Sequence, residues 1–553
     1  MTDASSYEYD IENRWVKRTR ANGRVYERMM TCCGPLWEKD ENGVTTSYSY
    51  NTARQLTETI RSAIADGETM ITPETITSYT RDALGKITSL RRDTGPMTTV
   101  ESREYDLLGR LVKETDILGR TTVRSYSGDG LVETVTTPAG ATLITRKSPS
   151  GTVVRRYGTG QQDILYTVEA TAEGIRTTEA VPGGEGGEPR VVTGSSTVNG
   201  FGDLVRIAAA NTLNGENVRT LAYDDKGRLI REQLADMAPT LYAYDAFGNR
   251  TRAIVALEDE PTILNSRITD YAYVAESRED GIYRLVSITS YTSSGTPVLQ
   301  KQAALLSALS SVLAGKTVMT DPRGHDTVEW TEYGGGSVRL QKKTVPGVGS
   351  VSLTRVVDGF TTAVTGFDGA TARRQRTYTE TGITYADTDV RGNVFTAVCD
   401  IAGRIISGTD AAGNTTTYAY AQPFDLPTCV TNALGKTACS VYDIRGRKEA
   451  EWGTAIQPAV YAYDAAGHIV SLSTFRDPGD VITTDPRLRT DGDITTWTYD
   501  VATGLVVRKT YANATHVDTA YDALNRVSST TDARGTVASR SYAPLTGELT
   551  SIT

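Results

Sequence analysis

One short string returns along this chain at a nearly fixed interval, and that interval restricts the fold more than any other property. Tyr105-Asp106-Leu107-Leu108-Gly109-Arg110-Leu111 comes back as Tyr223-Asp224-Asp225-Lys226-Gly227-Arg228-Leu229 and as Tyr244-Asp245-Ala246-Phe247-Gly248-Asn249. It returns again as Tyr442-Asp443-Ile444-Arg445-Gly446-Arg447, Tyr463-Asp464-Ala465-Ala466-Gly467-His468, Tyr499-Asp500-Val501-Ala502-Thr503-Gly504 and Tyr521-Asp522-Ala523-Leu524-Asn525-Arg526. Weaker copies stand at Tyr9-Asp10, Tyr50-Asn51, Arg81-Asp82 and Cys399-Asp400. Adjacent copies are 21 residues apart from Tyr223 to Tyr244 and from Tyr442 to Tyr463, and 22 apart from Tyr499 to Tyr521. About halfway between tyrosines lies a second turn spelling: Asp116-Ile117-Leu118-Gly119, Asp321-Pro322-Arg323-Gly324, Asp389-Val390-Arg391-Gly392, Asp410-Ala411-Ala412-Gly413, Asn432-Ala433-Leu434-Gly435 and Asp532-Ala533-Arg534-Gly535. A fixed period of this length is the signature of stacked supersecondary units.

The spelling has a direct physical reading. Asp or Asn at a first turn position accepts hydrogen bonds from backbone amides a few residues on, and Gly supplies the positive φ that lets the chain reverse. Between turns, stretches such as Thr415-Thr416-Thr417-Tyr418-Ala419-Tyr420 alternate in the manner of a strand with one face packed and one wetter. The chain has 29 Tyr against 7 Phe and 5 Trp, and 51 Gly, a bias toward pleated surfaces and tight turns. The expected fold class is therefore all-β, a long antiparallel β-meander that must coil to bury its apolar side. Each Asp is expected to tie down its own turn, and each Tyr ring to lie over the neighbouring hairpin.

Charge and cysteine content exclude several functions. A formal net charge of −9, with basic residues spread along the chain, argues against a nucleic-acid partner. No apolar run is long enough to span a bilayer, and the first thirty residues contain no apolar stretch of the signal-peptide kind. Five cysteines occur: Cys32 and Cys33 adjacent, and Cys399, Cys429 and Cys439 apart from one another. They lack C-x-x-C spacing, so no metal site is expected; adjacent Cys32 and Cys33 could close a strained disulfide, but all five are read as buried free thiols. Three histidines (His325, His468, His516) supply little catalytic or metal chemistry. No nucleophile elbow, phosphate loop, dinucleotide loop or zinc-protease motif is present. No D-x-D-x-D calcium spacing occurs either. Trp15, Trp37, Trp330, Trp452 and Trp497 are scattered rather than periodic, which suits sheet packing better than a sugar-stacking face. No catalytic residue, metal ligand or cofactor is expected, and the segment Glu451-Trp452-Gly453-Thr454-Ala455 has no role beyond packing.

The set of copies, and the run from Thr498 to Leu549 above all, resembles the YD-repeat or Rhs family. The resemblance implies a β-sheet that spirals into a hollow shell, a structural wrapping role and no chemistry. It implies an enclosed C-terminal polypeptide, toxic in bacterial members, or neighbouring shell segments as partners. A secreted or cell-surface location follows from it too, with adhesion in animal members. No position matches the family's aspartyl self-cleavage site; Asp321-Pro322-Arg323-Gly324 and Asp477-Pro478-Gly479 read as turns. Repeat phase at Tyr9 and a strand at Leu549-Thr550-Ser551 lead us to expect a fragment of a larger member.

By spelling alone, YD-repeat sheet is expected over residues 1–137, 201–269 and 389–553. Degenerate repeats are expected over 138–200, with a Gly-rich loop at Pro182 to Pro189, and over 270–388. Residues 302–309 have helix propensity but also fit a strand. The expected site is the set of repeat turns: Tyr105, Asp106, Gly109 and Arg110; Tyr223, Asp224, Gly227 and Arg228; Tyr244, Asp245 and Gly248; Tyr442, Asp443, Gly446 and Arg447; Tyr463, Asp464 and Gly467; Tyr499, Asp500 and Gly504; Tyr521 and Asp522. Two other functions remain open, a surface scaffold binding glycans and a polysaccharide-active enzyme on the repeat wall. Aligned exposed aromatics would mark the first, and converging carboxylates of raised pKa the second.

Overall fold

Strands of three to twelve residues, joined by tight turns, account for nearly all of the regular structure. The computed structural model describes residues 5–66, 69–183, 190–213, 215–333, 338–356, 361–421, 423–476 and 485–553. Among them the only helical segment is one short 3-10 turn, Pro486–Leu488. The fold class is the one read from the sequence, an all-β antiparallel meander. The expected Gly-rich loop (residues 184–189 of it) and the Asp477-Pro478-Gly479 turn lie outside the described residues.

The chain divides into two units. The first comprises Met1–Thr121, Asp270–Ser290 and Pro297–Tyr418; the second comprises Thr122–Thr269, Tyr291–Thr296 and Ala419–Thr553. Within each, strands pair antiparallel with their sequence neighbours, as Thr240–Tyr244 does with Arg250–Val255 and Ala459–Tyr463 with Ile469–Thr474. Strands also run through the stretches of fading spelling, for example Ile164–Thr171 with Gly174–Val181 and Leu313–Thr320 with Asp326–Tyr333. Residues 302–309 fall almost wholly in the strand Pro297–Ala308, where Ala303 opposes Val318. Helix propensity loses there to tertiary pairing, because Ala303 and Val318 pack with Tyr283 in one buried cluster.

Each unit also brings distant parts of the chain together. In the first, the Arg376 guanidinium donates to the Ile71 carbonyl (3.0 Å), and Arg24 lies 3.5 Å from the Tyr333 ring centre. In the second, Ala238 N–H donates to the Leu545 carbonyl (2.9 Å) and Arg267 pairs with Glu548 (2.8 Å). Within either unit, then, a later run of strands lies against an earlier one.

Buried mass is sparse. Of large side chains, only Tyr283, Ile64, Thr197 and Pro486 are fully enclosed among the described residues. The chain exposes 30904 Å². Two compact globules of half its 59.7 kDa mass would together expose about 23,000 Å² by the usual scaling. The excess is therefore a property of the units themselves: the sheet is a wall with thin cover.

One cysteine expectation is corrected. Cys429 and Cys439 are disulfide-bonded rather than free. They stand directly opposite one another on Pro427–Thr431 and Thr437–Tyr442, the two strands joined by the Asn432 turn. Ten residues of separation say nothing by themselves; a symmetric hairpin around that turn makes them cross-strand neighbours. Cys399 is a buried free thiol, as read, whereas Cys32 is free but exposed.

Candidate functional site

The recurrent feature is the YD turn, built almost identically each time. In the copy at Asp224, the Asp N–H donates to Arg228 O (2.9 Å) and Gly227 N–H to Asp224 O (3.1 Å). Asp224 Oδ1 accepts the amides of Lys226 (3.0 Å) and Arg228 (2.9 Å), while Oδ2 accepts Arg228 Nε (2.7 Å). Asp106 with Arg110, Asp443 with Arg447 and Asp522 with Arg526 repeat that pattern. Asp245 uses Asn249 and Asp464 uses His468 in place of arginine. Asp500 heads a longer turn and binds Thr503. Gly227, at φ 73°, closes its turn in the left-handed region; Asn525, at φ 62°, does so in the last copy.

The tyrosine before each Asp belongs to a different tie. A bulge interrupts the ladder just before it, between Ala222 and Tyr223, Ala243 and Tyr244, and Ala462 and Tyr463. Bulges re-aim a side chain, and here the hydroxyl reaches back to the preceding repeat. Tyr244 donates to Leu229 O (2.8 Å), Tyr442 to Pro427 O (2.9 Å), Tyr463 to Lys448 O (2.7 Å) and Tyr521 to Val506 O (2.8 Å). Tyr105, Tyr223 and Tyr499 do the same to Ile87 O, Leu204 O and Ile469 O. Each acceptor is the residue that leaves the preceding turn on the same edge.

The arginine completes the link forward. Arg228, held by its own Asp224, lies 4.9 Å from the Tyr244 ring centre and donates to Asp245 O (2.9 Å). Arg447 does so to Tyr463 (4.6 Å) and Asp464 O (3.1 Å), and Arg526 lies 4.3 Å from the Tyr542 ring. His468 substitutes by stacking on Tyr499 at 4.6 Å. A ladder of Asp, Arg and Tyr thus joins each of these repeats to the next. Arg526 and His468 belong to it although the spelling alone did not single them out; position four after the Asp was the signal.

Electrostatics follow the geometry. The Arg228 guanidinium first, and then its amide, hold the Asp224 carboxyl below the ordinary range. At Asp443 burial pushes the carboxyl up, but the Arg447 amide and guanidinium outweigh it and the net displacement is downward. Asp106, Asp245, Asp464 and Asp522 are displaced downward too, as are Asp280 and Glu332, which line a concavity of about 390 Å³ with Lys316 and Trp330. Burial, reinforced by hydrogen bonding to the Glu232 carboxylate, lifts the Tyr242 hydroxyl to about 12. Tyr48 with Glu38 and Tyr461 with Glu451 repeat that pair ten residues apart.

The segment after Glu451 also acquires a place. Gly453, at φ 139°, sits so close to Thr437 O that a Cβ there would stand 2.1 Å from it. Thr454 and Thr437 exchange backbone-to-hydroxyl hydrogen bonds. Gly158 and Thr159 make the same clasp on Thr142. Among the tryptophans, Trp15 lies between Tyr7 and Tyr26 beneath Arg28, and Trp330 donates to Glu332. Among the described residues no three His, Cys, Asp or Glu side chains gather as a metal site, and no helix is long and apolar enough to cross a membrane.

Comparison with known proteins agrees with this picture. Residues 105–142 match the family model described as RHS Repeat. No curated protein matches the sequence. Over its whole length the chain is similar in fold to a chain of the Photorhabdus luminescens Tc holotoxin pore, with TM-score 0.55 and 10% identity, and it spans 37% of that chain. A TcdB2-TccC3-Cdc42 crystal structure overlays 99% of this chain on 35% of its own, at 11% identity and TM-score 0.36. Of the two, the first overlay speaks for the fold, and at that identity for the fold alone.

Proposed function

We propose that this chain, which resembles RHS-repeat proteins in spelling, fold and the match over residues 105–142, is a structural wall segment that encloses or presents a polypeptide and performs no chemistry of its own. Its action is steric. The observation that carries this reading is the thin, ladder-tied sheet, which exposes 30904 Å² and buries very few large side chains among the described residues. A wall needs uninterrupted hydrogen bonding along its length more than it needs a dense core, and the Asp–Arg–Tyr ladder supplies ties of that kind between repeats.

The downward displacement of the turn carboxylates supports the same reading, because it comes from the guanidiniums and amides that tie each turn. The partner is a polypeptide of the same parent protein or another shell segment. The location is outside the reducing cytosol. The Cys429–Cys439 disulfide supports that location, since such bonds persist in oxidising compartments.

Small-angle scattering of the chain at two concentrations tests the wall. A compact 553-residue globule has a radius of gyration of about 24 Å. We expect a larger value, with the pair-distance distribution weighted toward long distances as in a curved or hollow body. A solid-globule distribution near that radius would overturn the reading.

A further inference from the structure

The hairpin between Val25–Met30 and Pro35–Lys39 turns at residues 31–34, on a turn one residue shorter than the YD turns. Its two tip residues are Cys32 and Cys33. In extended backbone, adjacent side chains point to opposite faces. Here the tight turn brings them to the same side, with the two Sγ atoms 3.0 Å apart.

The turn is held from several directions. Thr31 N–H and Thr31 Oγ1 both donate to Gly34 O (2.7 and 2.8 Å), and Cys33 N–H donates to Thr31 Oγ1 (3.2 Å). From the next strand, the Tyr50 hydroxyl donates to Pro35 O (3.0 Å) and lies against Gly34. Cys32 is exposed and Cys33 half-buried, so Cys32 is the residue that solution reaches more freely. This is the arrangement of an attacking and a resolving thiol.

We propose that Cys32 and Cys33 form a thiol–disulfide exchange site that reacts with small-molecule disulfides and closes reversibly to a vicinal disulfide. The Cys32 thiolate attacks a disulfide R–S–S–R, forming a mixed disulfide and releasing R–S⁻, which takes a proton. The Cys33 thiol gives its proton to solvent and its sulfur attacks Cys32 Sγ, expelling the second R–S⁻. Two protein thiols are oxidised and one external disulfide is reduced to two thiols, so electrons and protons balance. Ring closure across a single peptide bond strains the product, and strained, exposed disulfides are the readily reduced ones. The hydrogen bond shared with Cys32, with burial behind it, keeps the Cys33 proton held more firmly than usual, the Arg54 charge opposing it, which leaves the first attack to Cys32. Cys429–Cys439 lies elsewhere in the fold and Cys399 is buried, so neither competes for the reagent.

The test uses the full chain in buffers of graded oxidised and reduced glutathione, followed by proteolysis and mass measurement of the peptide holding Cys32 and Cys33. The expected product has lost two hydrogens and carries no glutathione, and it reverts on returning to reduced glutathione. Cys33→Ser should instead trap one glutathione per chain on Cys32, because the resolving sulfur is gone. Retention of glutathione by the unsubstituted chain, a dimer linked through Cys32, or thiols unchanged at every ratio would each overturn the proposal. The Cys33→Ser result reads the chemistry independently of the wall proposed above, since it needs only the folded hairpin.

Discussion

Arg447 makes three contacts at once: the Asp443 carboxylate, the Asp464 carbonyl and the Tyr463 ring. Arg447→Ala should lower the local opening free energy of Lys448–Trp452 and Ala459–Tyr463 by about 1 kcal/mol, the worth of a partly solvated ion pair with a ring contact. Amide exchange of those two strands measures it, and Arg447→Lys should recover less than half, lacking the planar fork. Tyr242 gives a pH dependence. Its folded value of about 12 lies above the ordinary tyrosine value of about 10, so its contribution is whole below about pH 10 and is lost as pH rises through about 12. Tyrosinate absorbance followed during alkaline unfolding should show that step, and Tyr242→Phe should remove one tyrosine's share of it. The Asp ladder behaves oppositely: with folded values displaced downward, its contribution is present above about pH 4 and fades as pH falls further. At this scale the Asp geometry was legible, because its partners lie two and four residues away. The tyrosine's acceptor was not, since a hydroxyl that reaches fifteen to thirty residues back depends on strand register.

Turns and hairpins show where glycine is required and where it is only convenient. Gly453→Ala combines a left-handed backbone with a Cβ 2.1 Å from Thr437 O, and should cost about 2–4 kcal/mol. Gly413→Ala, at φ 85° with nothing within 4 Å, should cost only about 1–2 kcal/mol. Denaturant melts of the two variants, compared directly, check the difference. The Cys429–Cys439 bridge spans a short loop, so replacing both cysteines by alanine should ease opening of that hairpin by no more than about 3 kcal/mol. Amide exchange in Pro427–Thr431 reads that change. Strand and turn order was legible throughout the regular copies, because Asp, Gly and alternating Thr and Tyr act locally. The pairing of Cys429 with Cys439 was missed for the opposite reason: it follows from facing positions across Asn432, which spacing does not reveal. Residues 302–309 were ambiguous because propensity there is weaker than the Ala303–Val318 contact.

In the second unit, two ties between sequence-distant runs rest on turn residues of the repeats. Asn525 stands where other copies have glycine, keeps the positive φ, and uses its amide to donate to Ala210 O (3.1 Å) and accept from Thr212 N (3.2 Å). Arg445, at a turn tip, donates to Thr159 O (2.7 Å). Asn525→Gly should leave its own turn intact while loosening Thr212 by about 1–2 kcal/mol, seen as faster exchange of that amide. Both residues were visible in the sequence; what they touch, 313 and 286 residues away, was not. The ladder itself has a polarity: hydroxyls reach backward, guanidiniums forward. A piece of chain inserted or lost within one period would leave an arginine without its ring and a tyrosine without its carbonyl, whereas a whole period would restore both. Growth and shrinkage of such a protein over evolutionary time should therefore proceed in quanta of one repeat, with partial steps confined to loops outside the ladder.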